Sequence, residues 1–137
     1  MNSFNNQNFI WFQLKFVCFI EITGSCVEIV AWNNNFRGKP AEGTIAMWPS
    51  VQKGEVQHIF PYHGNADAIL NTALDYELNV LRVYAAPLLH RVNPTMPEYS
   101  EAQRLLSFLE NFDTIAPTEV PPRSIIREFI GGSAFHY

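Results

Sequence analysis

The sequence has no long uninterrupted hydrophobic run, no cluster of Lys or Arg, and only two cysteines. Each of these shortages excludes a class of protein. Its 137 residues hold 9 Lys and Arg against 13 Asp and Glu, giving a formal net charge of -4. Neither a nucleic-acid surface nor a helix on an anionic membrane has support from this composition. Contact with phosphate through a few placed cations stays open. The hydrophobic content of 47% fits one globular domain with a real core.

Cysteine and histidine spacing predicts neither a disulfide scaffold nor a metal site. Cys18 and Cys26 lack the CxxC spacing of redox and zinc motifs. His58, His63 and His90 do not pair at the i,i+4 spacing of a helical zinc site, and no HExxH occurs. We therefore predict reduced cysteines, a cytoplasmic location, and histidines that lie in the core or at the surface.

The N-terminal stretch has an unusual composition. Residues 9–22 are strongly apolar, but Lys15 and Glu21 interrupt them, and the run is shorter than the roughly 20 residues of a membrane-spanning helix. The stretch also lacks the basic start and small-residue cleavage site of a secretory signal. It is typical either of a buried strand pair that turns at Gly24 or of a segment outside the domain.

Asn and Phe crowd the first 36 residues, and this bias ends abruptly near Arg37. We therefore predict an anomalous segment over 1–35, read out of frame in a truncated or frame-shifted gene product, followed by one domain over 36–137.

Hydrophobic residues recur at helical spacing through most of this domain. The predicted helices cover 41–48, 50–60, 76–92, 98–112 and a short stretch within 123–132 that a glycine pair ends. Pro49 and Pro87 lie inside these patterns and predict a kink or an end. The apolar run 66–71 follows a Gly64-Asn65 turn signal and predicts a strand.

Large apolar side chains in these patterns are predicted to form the core, and three charged residues are predicted to be struts or caps. The core residues are Trp48, Phe60, Leu78, Leu81, Leu105, Leu106, Phe108 and Phe129. The charged residues are Asp67, Asp75 and Arg127.

One turn is the best candidate for chemistry. No GxxxxGK[ST], GxGxxG or GxSxG motif occurs in the sequence. Arg37-Gly38-Lys39 combines a glycine with two cations, and such a turn can bring a guanidinium, an ammonium and backbone N–H groups onto a phosphate. The alternative interpretation is an ordinary solvated turn.

A series of short clusters from residue 36 to the C-terminus carries a family resemblance. In chain order these are Phe36-Arg37-Gly38, Thr44-Ile45, Met47-Trp48-Pro49-Ser50-Val51, Lys53-Gly54-Glu55, Ile59-Phe60-Pro61-Tyr62, Asn65-Ala66-Asp67, Asn71-Thr72-Ala73-Leu74, Tyr76-Glu77-Leu78, Val80-Leu81, Tyr84-Ala85, Pro87-Leu88-Leu89, Pro97-Glu98-Tyr99, Glu101-Ala102, Arg104-Leu105-Leu106, Phe108-Leu109 and Ile126-Arg127-Glu128-Phe129-Ile130-Gly131-Gly132-Ser133. They closely resemble the C-terminal part of uridine-kinase-like nucleoside kinases of the phosphoribulokinase/uridine kinase group.

The resemblance implies an α/β fold: the C-terminal fragment of a P-loop kinase, mostly helical with one or two sheet strands. It also implies ATP and Mg²⁺ as cofactors and phosphoryl transfer to the 5′-hydroxyl of uridine or cytidine. Arg37, Gly38 and Lys39 match the phosphate-binding lid. Trp32-Asn33 occupies the place of the family's upstream Arg-Asp pair, so that lid cation and its carboxylate are missing.

The P-loop and the acidic catalytic residue of the family have no counterpart in these 137 residues. We therefore expect the chain to be inactive alone and assign it no catalytic residue. The alternatives are a non-catalytic helical module that pairs with a separate N-terminal kinase half, and an unrelated helical domain. No DNA, RNA or membrane partner is predicted.

Overall fold

The computed structural model describes residues 22–65 and 74–135, and these residues form helices joined by turns and loops. Five α-helices follow in chain order: α1 Ile22–Arg37, α2 Ala41–His58, α3 Glu77–Leu89, α4 Tyr99–Leu109 and α5 Arg127–Ile130. Two 3₁₀ turns, Phe60–Asn65 and Pro117–Glu119, lie between them. The predicted mostly helical character is confirmed. No strand occurs in the two described ranges, and the predicted strand at 66–71 lies outside them.

Helix α1 lies at the centre of the fold and contacts α2, α3, α4 and α5. Cys26, Val27, Val30 and Ala31 are completely buried on it, at the i, i+1, i+4 and i+5 spacing that places side chains on one face of a helix. Packing of this face against the other helices removes apolar surface from water. This removal is the main favourable term in folding. The core is therefore built around α1.

The position of α1 corrects one prediction for the N-terminal stretch. Gly24 lies within helix α1, so the predicted strand pair that turns at Gly24 is wrong. Spacing over the short run did not separate a buried helix from a buried strand. The rest of the predicted pair, before Ile22, lies outside the described residues. Helix α1 runs through residue 35, where the sequence predicted a domain boundary. That boundary stays a prediction.

Helix α2 runs through Pro49 without interruption, so the predicted end at this proline is wrong. Proline has no N–H and leaves the carbonyl of Ile45 without its helical partner. Pro49 itself is exposed, so its ring lies away from the packed side of the helix. The inner side of α2 meanwhile buries Ala41, Thr44, Ile45, Trp48 and Glu55, and this packing keeps the helix continuous.

Helices α3 and α4 pack against each other. Helix α3 ends two residues after Pro87, the early end that the proline predicted. The 98–112 pattern also predicts an apolar stripe made of Ala102, Leu105, Leu106, Leu109 and Phe112. The first four are buried on α4, whereas Phe112 lies beyond the end of the helix and is partly exposed. The loop after α4 is tied back to α3, since the Asn79 side-chain amide donates to the Asp113 carbonyl at 2.7 Å.

The C-terminal helix α5 ends at a glycine pair, as the sequence predicted. Gly131 and Gly132 have φ angles of 86° and 72°, which L-residues with a side chain rarely adopt. The Arg127 guanidinium donates to the carbonyls of Pro117 (2.9 Å), Val120 and Gly131 (3.3 Å). Arg127 is therefore a strut between α5 and the preceding loop, as predicted.

Most of the predicted core is confirmed. Trp48, Leu81, Leu105 and Leu106 are buried, while Phe108 and Phe129 are partly buried against them. Phe60 is 39% exposed, so its assignment to the core is wrong. It follows the last residue of α2, beyond the part of that helix that other helices cover. Among the described helices, none combines the length and the apolar character needed to cross a membrane.

Candidate functional site: a cationic turn and a buried carboxyl pair

The predicted Arg37-Gly38-Lys39 turn joins α1 to α2. Helix α1 ends at Arg37, and Gly38 takes a left-handed φ of 59°, so the chain reverses direction at the residue that tolerates this conformation best. The backbone N–H of Lys39 donates back to the carbonyl of Asn33 at 3.1 Å. This bond partners a carbonyl of the last turn of α1 and fixes the turn.

The Arg37 side chain is exposed and lies over an aromatic ring. Its guanidinium carbon is 4.3 Å from the centroid of the Trp32 ring, within the range of a cation–π contact. Side chains at the end of a helix point back towards its N-terminus, so Arg37 runs along α1 to the preceding turn. Trp32 also packs against Phe36, with ring centroids 6.2 Å apart.

Lys39 lies beside the first turns of α2. Its ammonium group contacts the Met47 sulfur, and its aliphatic stem covers Gly43, where an added Cβ would lie 3.1 Å from Lys39 Cε. Pro40, which precedes α2, provides no side-chain cap. The first N–H groups of a helix have no intrahelical partner and carry a partial positive charge. The turn therefore has one cation on each side of Gly38 and leads directly into the start of a helix.

Polar contacts from α1 hold the turn in place. The Asn33 side-chain amide donates to the Thr44 hydroxyl at 3.1 Å inside the core, which joins the end of α1 to the first turn of α2. The Asn35 amide donates to the Phe129 carbonyl at 3.0 Å. The turn is thus built on rigid elements.

The other polar residues singled out in the sequence form no second cluster with these. His58 and His90 are exposed at the ends of α2 and α3, and Asp75 is exposed before α3. Asp67 and the side chain of His63 lie outside the described residues. Within residues 22–65 and 74–135, no three His, Cys, Asp or Glu side chains come together as a metal site would require.

A second polar feature, which the sequence did not predict, lies inside the protein between α1 and α3. Glu28 and Glu77 are each only 1% exposed, and their carboxyl groups are hydrogen-bonded to each other. The Leu74 N–H donates to Glu77 Oε2 at 3.3 Å. Glu28 Oε1 and Glu77 Oε1 find no conventional donor among the described residues. We call Glu28 and Glu77 the carboxyl pair.

The carboxyl pair is explained by a shared proton. Burial, followed by the charge of Glu77 and the hydrogen bond to it, raises the pKa of Glu28 from 4.5 to about 9. Burial also raises the pKa of Glu77, although hydrogen bonds from Glu28 and Leu74 oppose this effect. A protonated Glu28 can donate a hydrogen bond to Glu77. At neutral pH Glu28 is then protonated and uncharged.

The only sequence signal for the carboxyl pair is that Glu28 stands alone in the apolar run Cys26 to Ala31. An acidic residue on the inner face of a buried helix needs a partner. Nothing in the sequence names Glu77 as that partner, because 49 positions separate the two residues and only folding brings them together.

Cys26, two residues before Glu28 on α1, is a free and fully buried thiol. Burial, and then the charge of Glu101, raises its pKa from 9.0 to about 12. Since the thiolate is the reactive form of cysteine, Cys26 is a core residue rather than a nucleophile.

Comparison with protein-family models, with curated proteins and with solved structures gives no match to this chain. The site is therefore interpreted from its residues and geometry.

Proposed function

We propose that the chain is the C-terminal part of a uridine-kinase-like nucleoside kinase and that its Arg37-Gly38-Lys39 turn contacts the phosphates of ATP. The observation that carries the proposal is a left-handed glycine that stands between two cations at the start of α2. The ordered sequence clusters that resemble this family, from residue 36 onwards, supply the substrate class.

Each residue of the turn has a distinct part in this proposal. Arg37 offers a planar set of N–H donors that can hold two phosphate oxygens at once, and Lys39 offers a mobile point charge. Gly38 lets the backbone approach the phosphate closely, since it has no side chain there. Together they would neutralise charge on the transferring phosphoryl group, the main contribution of a lid to this reaction.

The proposal assigns no Mg²⁺ ligand to this chain. The described residues offer no group of three metal-ligating side chains, and Mg²⁺ in phosphoryl transfer is held mainly by substrate phosphates and one or two carboxylates. The sequence also has no P-loop motif. Phosphoryl transfer therefore has to use parts that these 137 residues do not contain, and we assign no catalytic residue.

Calorimetric titration of the purified chain with ATP tests the phosphate contact. Arg37→Ala and Lys39→Ala should each weaken binding by about tenfold, because each removes a charge-assisted contact. Lys53→Ala is the matched control, since Lys53 is an exposed cation farther along α2. Equal affinity of Arg37→Ala, Lys39→Ala and the unchanged chain would overturn the proposal.

The activity assay tests the absence of chemistry. We expect the chain alone to form no uridine monophosphate from ATP and uridine beyond a mock-purified control. ATP-dependent phosphorylation of uridine by the chain alone would contradict this expectation.

A second candidate is a helical module that pairs with a separate N-terminal kinase half. The end of α2 and the turn after it favour this candidate, because Val56 and Tyr62 are 58% and 51% exposed and apolar surface of this kind marks contact sites. Co-expression with a P-loop half of a uridine kinase should give a co-purifying, active complex. Val56→Asp should abolish it, and failure of the two halves to associate would exclude this candidate.

We also propose a cytoplasmic location. Cys26 is a free thiol in the core, and free thiols are the usual state of cysteine in reducing compartments. Fractionation of cells that express the chain would test it.

A further inference from the structure

Trp32 stands five residues before Arg37 on α1, and its ring lies against the exposed Arg37 guanidinium. We propose that Trp32 is a positioning residue, which holds the Arg37 guanidinium in place for a phosphate. This inference rests on the proposed phosphate contact of the turn, and it goes further by assigning a role to a residue that does not touch the phosphate itself.

The geometry of the contact leaves Arg37 able to bind. The guanidinium carbon lies 4.3 Å from the Trp32 ring centroid, so the flat face of the cation is used by the ring. All five N–H donors of a guanidinium lie in its plane and point outwards from its edges. Among the described residues, Arg37 donates no side-chain hydrogen bond to protein. Its edges therefore stay available to a planar or tetrahedral anion.

Trp32 itself is held by the fold. It is half-buried on the central helix α1, and the neighbouring Phe36 ring packs at 6.2 Å with a tilt of 42°. Its neighbour in sequence, Asn33, is fixed by the hydrogen bond to Thr44 and by the Lys39 N–H that its carbonyl accepts. A ring on such a rigid base gives Arg37 a defined resting place.

The expected gain is entropic. A free arginine on a surface samples many rotamers, and this freedom is lost when it binds an anion. A stacked arginine has lost part of that freedom before the anion arrives. In this chain, Trp32 stands where the resembling lid pattern has a cation. Support of Arg37 by the Trp32 ring would then take the place of that second charge.

Titration with inorganic tripolyphosphate and with ATP, followed by calorimetry, tests the inference. Trp32→Leu keeps an apolar side chain but removes the aromatic face, and it should weaken binding of both anions by about two- to fivefold, the value of an exposed cation–π contact. Trp32→Phe restores an aromatic face and should recover most of the affinity. Circular dichroism and thermal melting establish that each variant is folded.

A double-mutant cycle separates positioning from a general effect on the fold. In the Arg37→Ala background, Trp32→Leu should cause no further loss of affinity, because no guanidinium is left to position. An equal loss with and without Arg37 would overturn the inference. If Arg37→Ala weakens binding and Trp32→Leu does not, the inference fails while the proposed function stands. If Arg37→Ala binds both anions as the unchanged chain does, the proposed function fails, and the inference fails with it.

NMR of the unchanged chain gives a readout that needs no substitution at Trp32. The Arg37 side-chain protons should be shifted upfield by the ring current of Trp32, and they should stay shifted when tripolyphosphate is bound. Loss of the upfield shift on binding would mean that the anion pulls Arg37 off the ring, and this result would overturn the inference.

Discussion

The middle and the end of helix α1 place charge in opposite environments. Glu28, near the middle, is buried against α3 beside Glu77 with no cationic partner among the described residues, whereas Arg37, the last residue, is exposed and rests on an aromatic face. The buried position holds a proton on Glu28, and the exposed position orients the Arg37 guanidinium on the Trp32 ring. One helix therefore links a feature that affects stability to a feature suited to binding.

The largest expected effect is a loss of stability with rising pH, which the carboxyl pair should cause. The pKa of Glu28 is about 9 in the folded chain, above its ordinary value of 4.5, so the folded state binds the proton more tightly than the unfolded state. The stabilisation is complete below pH 4.5 and is lost as pH rises towards 9. The slope is about 1.4 kcal/mol per pH unit for one proton, or up to about 4 kcal/mol between pH 5 and 8.

Urea denaturation at several pH values measures this slope. Glu28→Gln should flatten it, because an amide N–H can donate to Glu77 at every pH. Glu110→Gln, at an exposed position, is the control and should keep the slope of the unchanged chain. A free energy of unfolding that is level from pH 5 to 8 in the unchanged chain would show that the pair does not share a proton.

The next effect concerns the attachment of α5 to the loop that precedes it. Arg127→Met removes the donors to the carbonyls of Pro117 and Val120 while keeping much of the apolar stem. We expect a loss of about 2 kcal/mol in the free energy of unfolding, the typical cost of hydrogen bonds to a charged group. Arg123→Met, at an exposed position, should change stability by less than about 0.5 kcal/mol; similar losses in both variants would contradict the strut.

Two glycines with open space around them, Gly38 after the exposed end of α1 and Gly54 inside α2, should respond in opposite directions. Gly38 has a φ of 59°, and nothing lies within 4 Å of an added Cβ, so Gly38→Ala should cost about 1 kcal/mol through backbone strain alone. Gly54 is equally open but lies inside α2, and Gly54→Ala should stabilise by about 0.5–1 kcal/mol. Thermal melting measures the change in stability of both variants. A Gly38→Ala variant at least as stable as the unchanged chain would refute the turn geometry.

The smallest effect is expected from a charge pair on the surface. Arg104 donates to Glu101 at 2.7 Å in an i,i+3 pair on α4, and both side chains reach solvent. Glu101→Gln should lower the free energy of unfolding by less than about 0.5 kcal/mol. Repeating the urea titration in 1 M NaCl should abolish the difference. A loss comparable to that of the carboxyl pair would remove the contrast between buried and exposed charge.

Local patterns predicted much of the helical architecture. The stripe on α4, the early end of α3 near Pro87, and the glycine end of α5 each follow from residues within one or two turns of each other. Of the two outcomes predicted at Pro49, a kink or an end, the end is wrong, because the end of a helix at proline also depends on what covers its opposite side. Phe60 was misjudged for a related reason, since hydrophobicity alone does not say whether a neighbour covers a side chain.

The site was predicted in part. The turn at Arg37, Gly38 and Lys39 was identified from composition alone, because glycine between cations is a local signal. The support from Trp32 and the pairing of Glu28 with Glu77 needed the fold: one depends on where a helix ends, and the other on a contact between distant segments. The break in composition near residue 35 also gave no sign that α1 continues through it to Arg37.

The buried thiol of Cys26 provides a clock for the opening of α1. A thiol with a pKa of about 12 and no exposed surface is almost inert to alkylating reagents while the helix is in place. In a Cys18→Ser background, the rate of alkylation therefore reports how often α1 leaves the core. This rate can be compared between pH 6 and pH 8 after correction for thiol ionisation. A higher rate at pH 8 would show that deprotonation of the carboxyl pair makes α1 leave the core more often.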